Sequence, residues 1–155
     1  MKMPRIHPLL LAGLVSTGIL GGVGGYTFLY AEGLSYVSDD PRACANCHVM
    51  NEHLDSWTKG SHARAAVCNA CHLPHGVAEK YFAKARNGWF HSKAFTLQDF
   101  PEPIRIAPFN HDRLQRNCIE CHADFVGLIA GPADVGRDEA RCTVCHRSAG
   151  HMKLD

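Results

Sequence analysis

The chain has 155 residues, enough for one small domain and too few for a multidomain enzyme. Its 16 Lys plus Arg nearly balance 15 Asp plus Glu, for a formal charge of +1, which excludes binding to nucleic acid by phosphate attraction. Eight cysteines and eleven histidines in so short a chain make thiol and ligand chemistry the central question.

The first element is apolar. Lys2 and Arg5 precede a run free of Lys, Arg, Asp and Glu that lasts until Glu32, and residues 8–31 read PLLLAGLVSTGILGGVGGYTFLYA. That exceeds the roughly 20 residues a helix needs to cross a bilayer. A cleaved signal peptide is the competing reading, because Lys2 and Arg5 would form its basic start and Gly22-Val23-Gly24 offers small residues for cleavage. Tyr26, Phe28, Leu29 and Tyr30 carry the run past those glycines, and aromatic side chains favour the bilayer surface, so the pattern predicts an uncleaved single-pass helix. Lys2 and Arg5 keep the tip in the cytoplasm, which predicts an inner-membrane protein with residues 1–32 as tip and anchor and 33–155 as a periplasmic domain. Gly18 with Gly22, and Gly21 with Gly25, have the spacing that lets anchors self-associate.

Beyond the anchor the sequence is organised by one pentapeptide, Cys-X-X-Cys-His. It occurs at Cys44, Cys47 and His48, at Cys68, Cys71 and His72, at Cys118, Cys121 and His122, and at Cys142, Cys145 and His146. Two thiols at this spacing add across the two vinyl groups of one porphyrin, and the next residue stands under the iron with an imidazole. The motifs therefore predict four covalently bound haem c groups. Zinc is the alternative, since two of the gaps between pairs approach zinc-ribbon spacing, but zinc would use the cysteines alone. Four successive histidines at those positions arise by chance with a probability on the order of 10⁻⁵ at this histidine content, and no cysteine is left over for a disulfide framework.

The motifs begin at 44, 68, 118 and 142, intervals of 24, 50 and 24, which reads as a duplicated dihaem unit with an insert. Within the insert, residues 75–95 form the best helix candidate. Ala78, Tyr81, Phe82, Ala85 and Trp89 follow helical spacing, and they suit either a haem plane or the membrane lipid surface. Past Leu97, the segment with Pro101, Pro103 and Pro108 reads as a loop. Long hydrophobic periodicity is missing after the anchor. The expected fold class is mainly α with extensive loops, a transmembrane helix followed by a multihaem cytochrome c domain cored by its porphyrins.

An N-terminal anchor followed at once by four such motifs resembles the NapC/NirT family of membrane-anchored tetrahaem cytochromes. Four strings carry the likeness: GLSYVSDDPRACANCHVM (33–50), GSHARAAVCNACHLPHG (60–76), EKYFAKARNGWFHSKAFTL (79–97) and CTVCHRSAGH (142–151). They look closest to the small subunits of cytochrome c nitrite reductase complexes. The resemblance implies oxidation of menaquinol and electron delivery to the periplasmic catalytic subunit of an ammonia-forming cytochrome c nitrite reductase.

It also implies site residues. Met50, two residues after His48, is the implied ligand of the first haem in place of His48, the alternative being a core methionine beside a His-ligated haem. His62 and His151 match distal ligand positions, His62 for the haem of Cys142 and Cys145 and His151 for that of Cys118 and Cys121. His75, close to the second motif, is either a ligand or a surface residue, and the partner protein is the other source of a distal ligand for the second haem. His53 and His111 suit surface positions. The quinol would meet the first haem, with Lys80 directed at its oxygen. Where the family usually has Asp, this chain has Asn87, which can orient a hydroxyl but cannot take its proton. The proton acceptor is then Glu79, His91 or a haem propionate.

Two other functions fit the residues. One is an anchored tetrahaem carrier that serves a different periplasmic reductase and has no quinol site. The other is a nitrite or hydroxylamine reductase with its own open haem, which four ordinary motifs disfavour.

Overall fold

A computed structural model of the chain describes residues 7–129 and 141–151. Lys2 and Arg5, on which the expected orientation rests, lie outside the described residues. The chain divides into two compact units, residues 1–35 and 36–155. The architecture is mostly helical, and the described residues contain no strand.

The first unit holds α1 (Pro8–Tyr30), 23 residues with an axial length of about 35 Å at 1.5 Å per residue, enough to cross a hydrocarbon core. Pro8 occupies the first turn, where its missing N–H costs nothing, and Nδ1 of His7 accepts from the Leu9 amide at 3.4 Å. No residue of α1 is buried. Apolar side chains project on all sides, as a helix with lipid for solvent requires. Tyr26 and Tyr30 stack at 5.9 Å between ring centroids near its C-terminal end. The chain then turns at Glu32, whose φ is 51°, and at Gly33, where a Cβ would come within 2.3 Å of the Phe28 ring. Only glycine fits that approach.

In the second unit the helices follow their caps. Asp40 caps α2 (Pro41–Cys44) by accepting from the Arg42 amide at 2.9 Å, with Pro41 at the first position. A 3₁₀ turn over His48–Met50 leads into α3 (Asn51–Thr58), and α4 covers Cys68–His72. The insert helix is α5 (Val77–Leu97), which stops at Gln98 in the left-handed conformation with φ 54°. The expected loop past Leu97 extends only to Ala107. Pro108 begins α6 (Pro108–Cys121), because proline at the first position starts a helix as readily as it ends one. Two short helices follow, α7 (Ala123–Ile129) and α8 (Cys142–Cys145).

Side chains alone make almost no core. Among the described hydrophobic residues only Leu73 and Ala83 are buried, while Phe82, Trp89, Phe95 and Phe125 are more than half exposed. Burial of one Leu and one Ala yields a few kcal/mol, against roughly 1–2 kcal/mol of backbone entropy for every residue ordered. Porphyrins bound at the four motifs would supply the apolar mass that the side chains lack.

Polar ties join the haem motifs to one another. The buried amide of Asn117 on α6 donates to the carbonyls of Ala70 (3.1 Å), Cys71 (2.9 Å) and Leu73 (2.7 Å), closing the C-terminal end of α4. The Cys142 amide donates to Oε1 of Gln115 at 3.0 Å, which fastens α8 to α6. Asn117→Ala should destabilise the haem-loaded protein by about 1–3 kcal/mol, since the buried Leu73 carbonyl and the part-buried Cys71 carbonyl lose this donor, while Ala70 keeps His75. Denaturant melts followed at the haem absorbance check this, and an unchanged midpoint would show that α4 needs no such cap.

Candidate haem-attachment sites

Each Cys-X-X-Cys-His motif occupies about one helical turn. In α4, α8 and the last turn of α6 the two cysteines stand three residues apart, so both thiols emerge on one face, and the histidine follows at the helix end. The first motif spans the end of α2 and the 3₁₀ turn. No two of the eight cysteines form a disulfide. Their neighbours form a series: Cys44 and Cys68 share a hydrogen bond, Cys71 lies within electrostatic range of Cys118 and Cys121, and Cys118 within range of Cys142. The first motif thus adjoins the second, the second the third, and the third the fourth.

Two pairs of histidines have the spacing of axial ligands. An iron bonded to one nitrogen of each of two imidazoles holds the ring centroids roughly 6 Å apart. His72 and His151 stand 6.3 Å apart with rings 9° from parallel, and His62 and His122 stand 6.1 Å apart at 75°. The protein around them fits the group. Burial, with His151 and His53 nearby, pulls the His72 imidazole down to about 4, so it is neutral with a lone pair to give. Nδ1 of His62 donates to the Ala149 carbonyl at 2.7 Å, which fixes the tautomer and leaves Nε2 as the donor to iron.

This pairing differs from the one the resemblance implies. His62 faces His122 instead of His146, and His151 faces His72 instead of His122. The cause is a close approach of two loops. A Cβ on Gly60 would come within 2.9 Å of the Gly150 carbonyl oxygen, so Gly60 lets the loop carrying His62 lie directly against the turn carrying His151.

The remaining histidines have other neighbours. His75 donates Nε2–H to the Ala70 carbonyl (2.9 Å) and faces Glu120 through Nδ1 (3.0 Å), and these two contacts raise its pKa. With both nitrogens engaged it clasps the second motif to the third. His111 is engaged by Thr143 Oγ1 (3.1 Å) and by Arg141. His53 packs edge-on against His151 at 5.0 Å, and His91 lies exposed on α5. Among the described residues no second histidine ring stands opposite His146. At the first motif, Met50 is half-buried and His48 is exposed.

Helix α5 presents three faces. Its stripe of Lys80, Lys84, Gly88 and Ser92 lies against the segment from Tyr36 to Asp39. Lys80 Nζ donates to Asp39 Oδ2 at 2.5 Å, and Lys84 Nζ donates to Asp39 Oδ1 (3.1 Å) and to the Ser38 carbonyl (2.7 Å). A Cβ on Gly88 would meet the Tyr36 ring at 3.2 Å, and Tyr36 hydrogen-bonds with Ser92 within electrostatic range of Cys44 and Cys47. This stripe therefore borders the first motif. A second face meets α6: Arg86 lies over the rings of Phe90 (4.8 Å) and Phe109 (4.2 Å), and Asn87 and Asn110 exchange amide hydrogen bonds at 3.1 and 3.3 Å. The third face, with Tyr81, Phe82, Ala85 and Trp89, is exposed. Lys80 and Asn87 thus share a helix but have different partners. Asp39 is the neighbour sequence reasoning missed. Its signal is the pair Asp39-Asp40 before Pro41: Asp40 is used as the cap, and Asp39 is left to reach α5.

Comparison with known proteins agrees with these motifs. Residues 5–100 match the model of the NapC/NirT cytochrome c family, N-terminal region. The chain is 41% identical to cytochrome c-type protein NrfH of Wolinella succinogenes, over 94% of this chain and 88% of that protein. It is 30% identical to cytochrome c nitrite reductase subunit NrfH of Nitratidesulfovibrio vulgaris, over 80% of this chain and 74% of that one. Among solved structures it matches a chain of the cytochrome c nitrite reductase NrfHA complex bound to the HQNO inhibitor, with TM-score 0.63, 25% identity, and coverage of 95% of this chain and 92% of that chain. With its helical fold, its Cys-X-X-Cys-His turns and these relatives, the chain belongs to the NapC/NirT family of c-type cytochromes.

Proposed function

We propose that the chain is a tetrahaem quinol dehydrogenase, anchored in the inner membrane by α1 with residues 33–155 in the periplasm. It oxidises menaquinol and delivers the electrons to the catalytic subunit of a periplasmic ammonia-forming cytochrome c nitrite reductase. The observation that carries this reading is the unbroken packing of the motifs, α2 against α4, α4 against α6 and α6 against α8, which begins at the motif nearest the anchor in sequence and ends at the motif with no opposing histidine among the described residues. The relatives support the partner, since both are NrfH proteins and the matched complex pairs NrfH with NrfA and binds HQNO. The exposed aromatic face of α5 suits membrane lipid.

Haem, when attached at the four motifs, supplies a one-electron centre at each. The chain's own residues set its surroundings. Met50, half-buried beside the first motif, offers a thioether, a weaker donor than imidazole that raises the potential where electrons enter. Lys80 presents an ammonium to a quinol oxygen and stabilises negative charge as the hydroxyl ionises. Each quinol yields two electrons and two protons. Reduction of one nitrite to ammonium takes six electrons, so three quinols serve one turnover. His122 with His62 would hold the third haem, and His72 with His151 the second. His146 would hold the fourth together with a ligand from the partner.

The carrier without a quinol site keeps one observation in its favour: Asn87 spends its amide on Asn110 and would reach a quinol only by opening that pair. Quinol oxidation by the purified protein in detergent separates the two functions. Lys80→Ala and Met50→Ala should each lower quinol turnover by about tenfold or more, a rise of roughly 1.4 kcal/mol in the barrier. Unchanged turnover in both would move the site elsewhere or favour the carrier.

The axial pairs make a spectroscopic prediction. His62→Ala should turn the third haem from low spin to high spin, and His151→Ala the second, each identified by resonance assignment to its own motif. A change at the fourth haem instead would overturn the pairing.

A further inference from the structure

Asp39 lies outside the residues given a role in quinol oxidation, yet it organises the lysine that has one. Its carboxylate accepts from Lys80 Nζ at 2.5 Å through Oδ2, and from Asn69 (2.7 Å) and Lys84 Nζ (3.1 Å) through Oδ1. Those two further donors hold it in place. Lys84 is buried and also donates to the Ser38 carbonyl at 2.7 Å, so its ammonium has little freedom, and Asn69 belongs to the second haem motif. Lys80 by contrast gives Asp39 one of its three hydrogens, and no other polar partner of its ammonium is found among the described residues.

We propose that Asp39 is the positioning residue of the quinol site: fixed by Lys84 and Asn69, it holds the Lys80 side chain in place, so that Lys80 donates to a quinol oxygen. This rests on the reading of Lys80 as the quinol-binding lysine. The charges around Lys80 support it. Asp39 is the anion in contact, Lys84 lies one turn along α5, Glu79 beside it is drawn to Arg113 at 3.8 Å, and His75 precedes the helix. The Lys80 bond, then Asn69 and Lys84, hold the Asp39 carboxyl far below the usual carboxylate range. With Asp39 engaged by three donors, the two protons of the quinol pass to water as its two electrons enter the haem series. The anion works through Lys80: an adjacent negative charge favours the ammonium, and an ammonium lowers the cost of ionising the quinol hydroxyl.

The test uses the full-length haem-loaded chain in detergent, co-purified with its reductase, and a water-soluble menaquinol analogue. The kcat and KM are followed, with haem content checked by absorbance. Asp39→Asn should lower kcat about tenfold with KM changed by less than about threefold, while Asp39→Glu restores kcat to within about threefold. If Lys80→Ala impairs turnover but Asp39→Asn keeps the unmodified kcat and KM, the proposal is wrong and the quinol reading stands. If Lys80→Ala has no effect, the quinol reading itself has failed. Should Asp39→Asn not accumulate with haem, Asp39→Glu still decides: a kcat within about threefold of the unmodified chain supports the proposal, and a loss of about tenfold at full haem content overturns it.

Discussion

Covalent attachment of haem through two thiols three residues apart is the constraint on which the rest of the structure depends. It asks the chain for single helical turns that place both sulfurs on one face, and most of the described helices after the anchor either carry such a turn or support one. It also removes the need for a conventional core. A unit with only Leu73 and Ala83 buried among its described hydrophobic residues has no other apolar interior to fold around. The polar side chains are accordingly spent on fixing motifs to one another: Asn117 caps α4, His75 clasps Glu120, and Gln115 holds Cys142.

Helix α5 shows how one element serves several demands. Ala83 and Lys84 are its buried residues, and the faces around them meet α6 on one side and the Tyr36–Asp39 segment on the other. The face toward Tyr36–Asp39 brings cations and a hydroxyl to the border of the first motif. The opposite face is left aromatic and exposed. A lipid-soluble reductant in the proposed mechanism needs this combination, an apolar approach beside a charged group that stabilises ionisation.

Local chemistry was legible in the sequence, and long-range pairing was not. The anchor and the four motifs could be read because composition and spacing are covalent facts of the chain. The insert helix could be read because Ala78, Phe82, Ala85 and Trp89 recur with helical period. The start of α6 was masked by Pro108, which stands third in a row of prolines and looks like a loop residue until the helix behind it is seen. The partners of His62 and His151 depend on Gly60 meeting Gly150 across 90 residues of sequence, and no local pattern announces that contact. Asn87 was legible as a departure from the family but not as a partner of Asn110.

Four porphyrins, one on each cysteine pair, would stand in place of a side-chain core. Intact-mass measurement of the purified chain, followed by mapping of its haem peptides, tests this most directly. Four covalent haems per chain are expected, located at Cys44/Cys47, Cys68/Cys71, Cys118/Cys121 and Cys142/Cys145. A folded protein carrying fewer haems, zinc, or the mass of the bare polypeptide would contradict it.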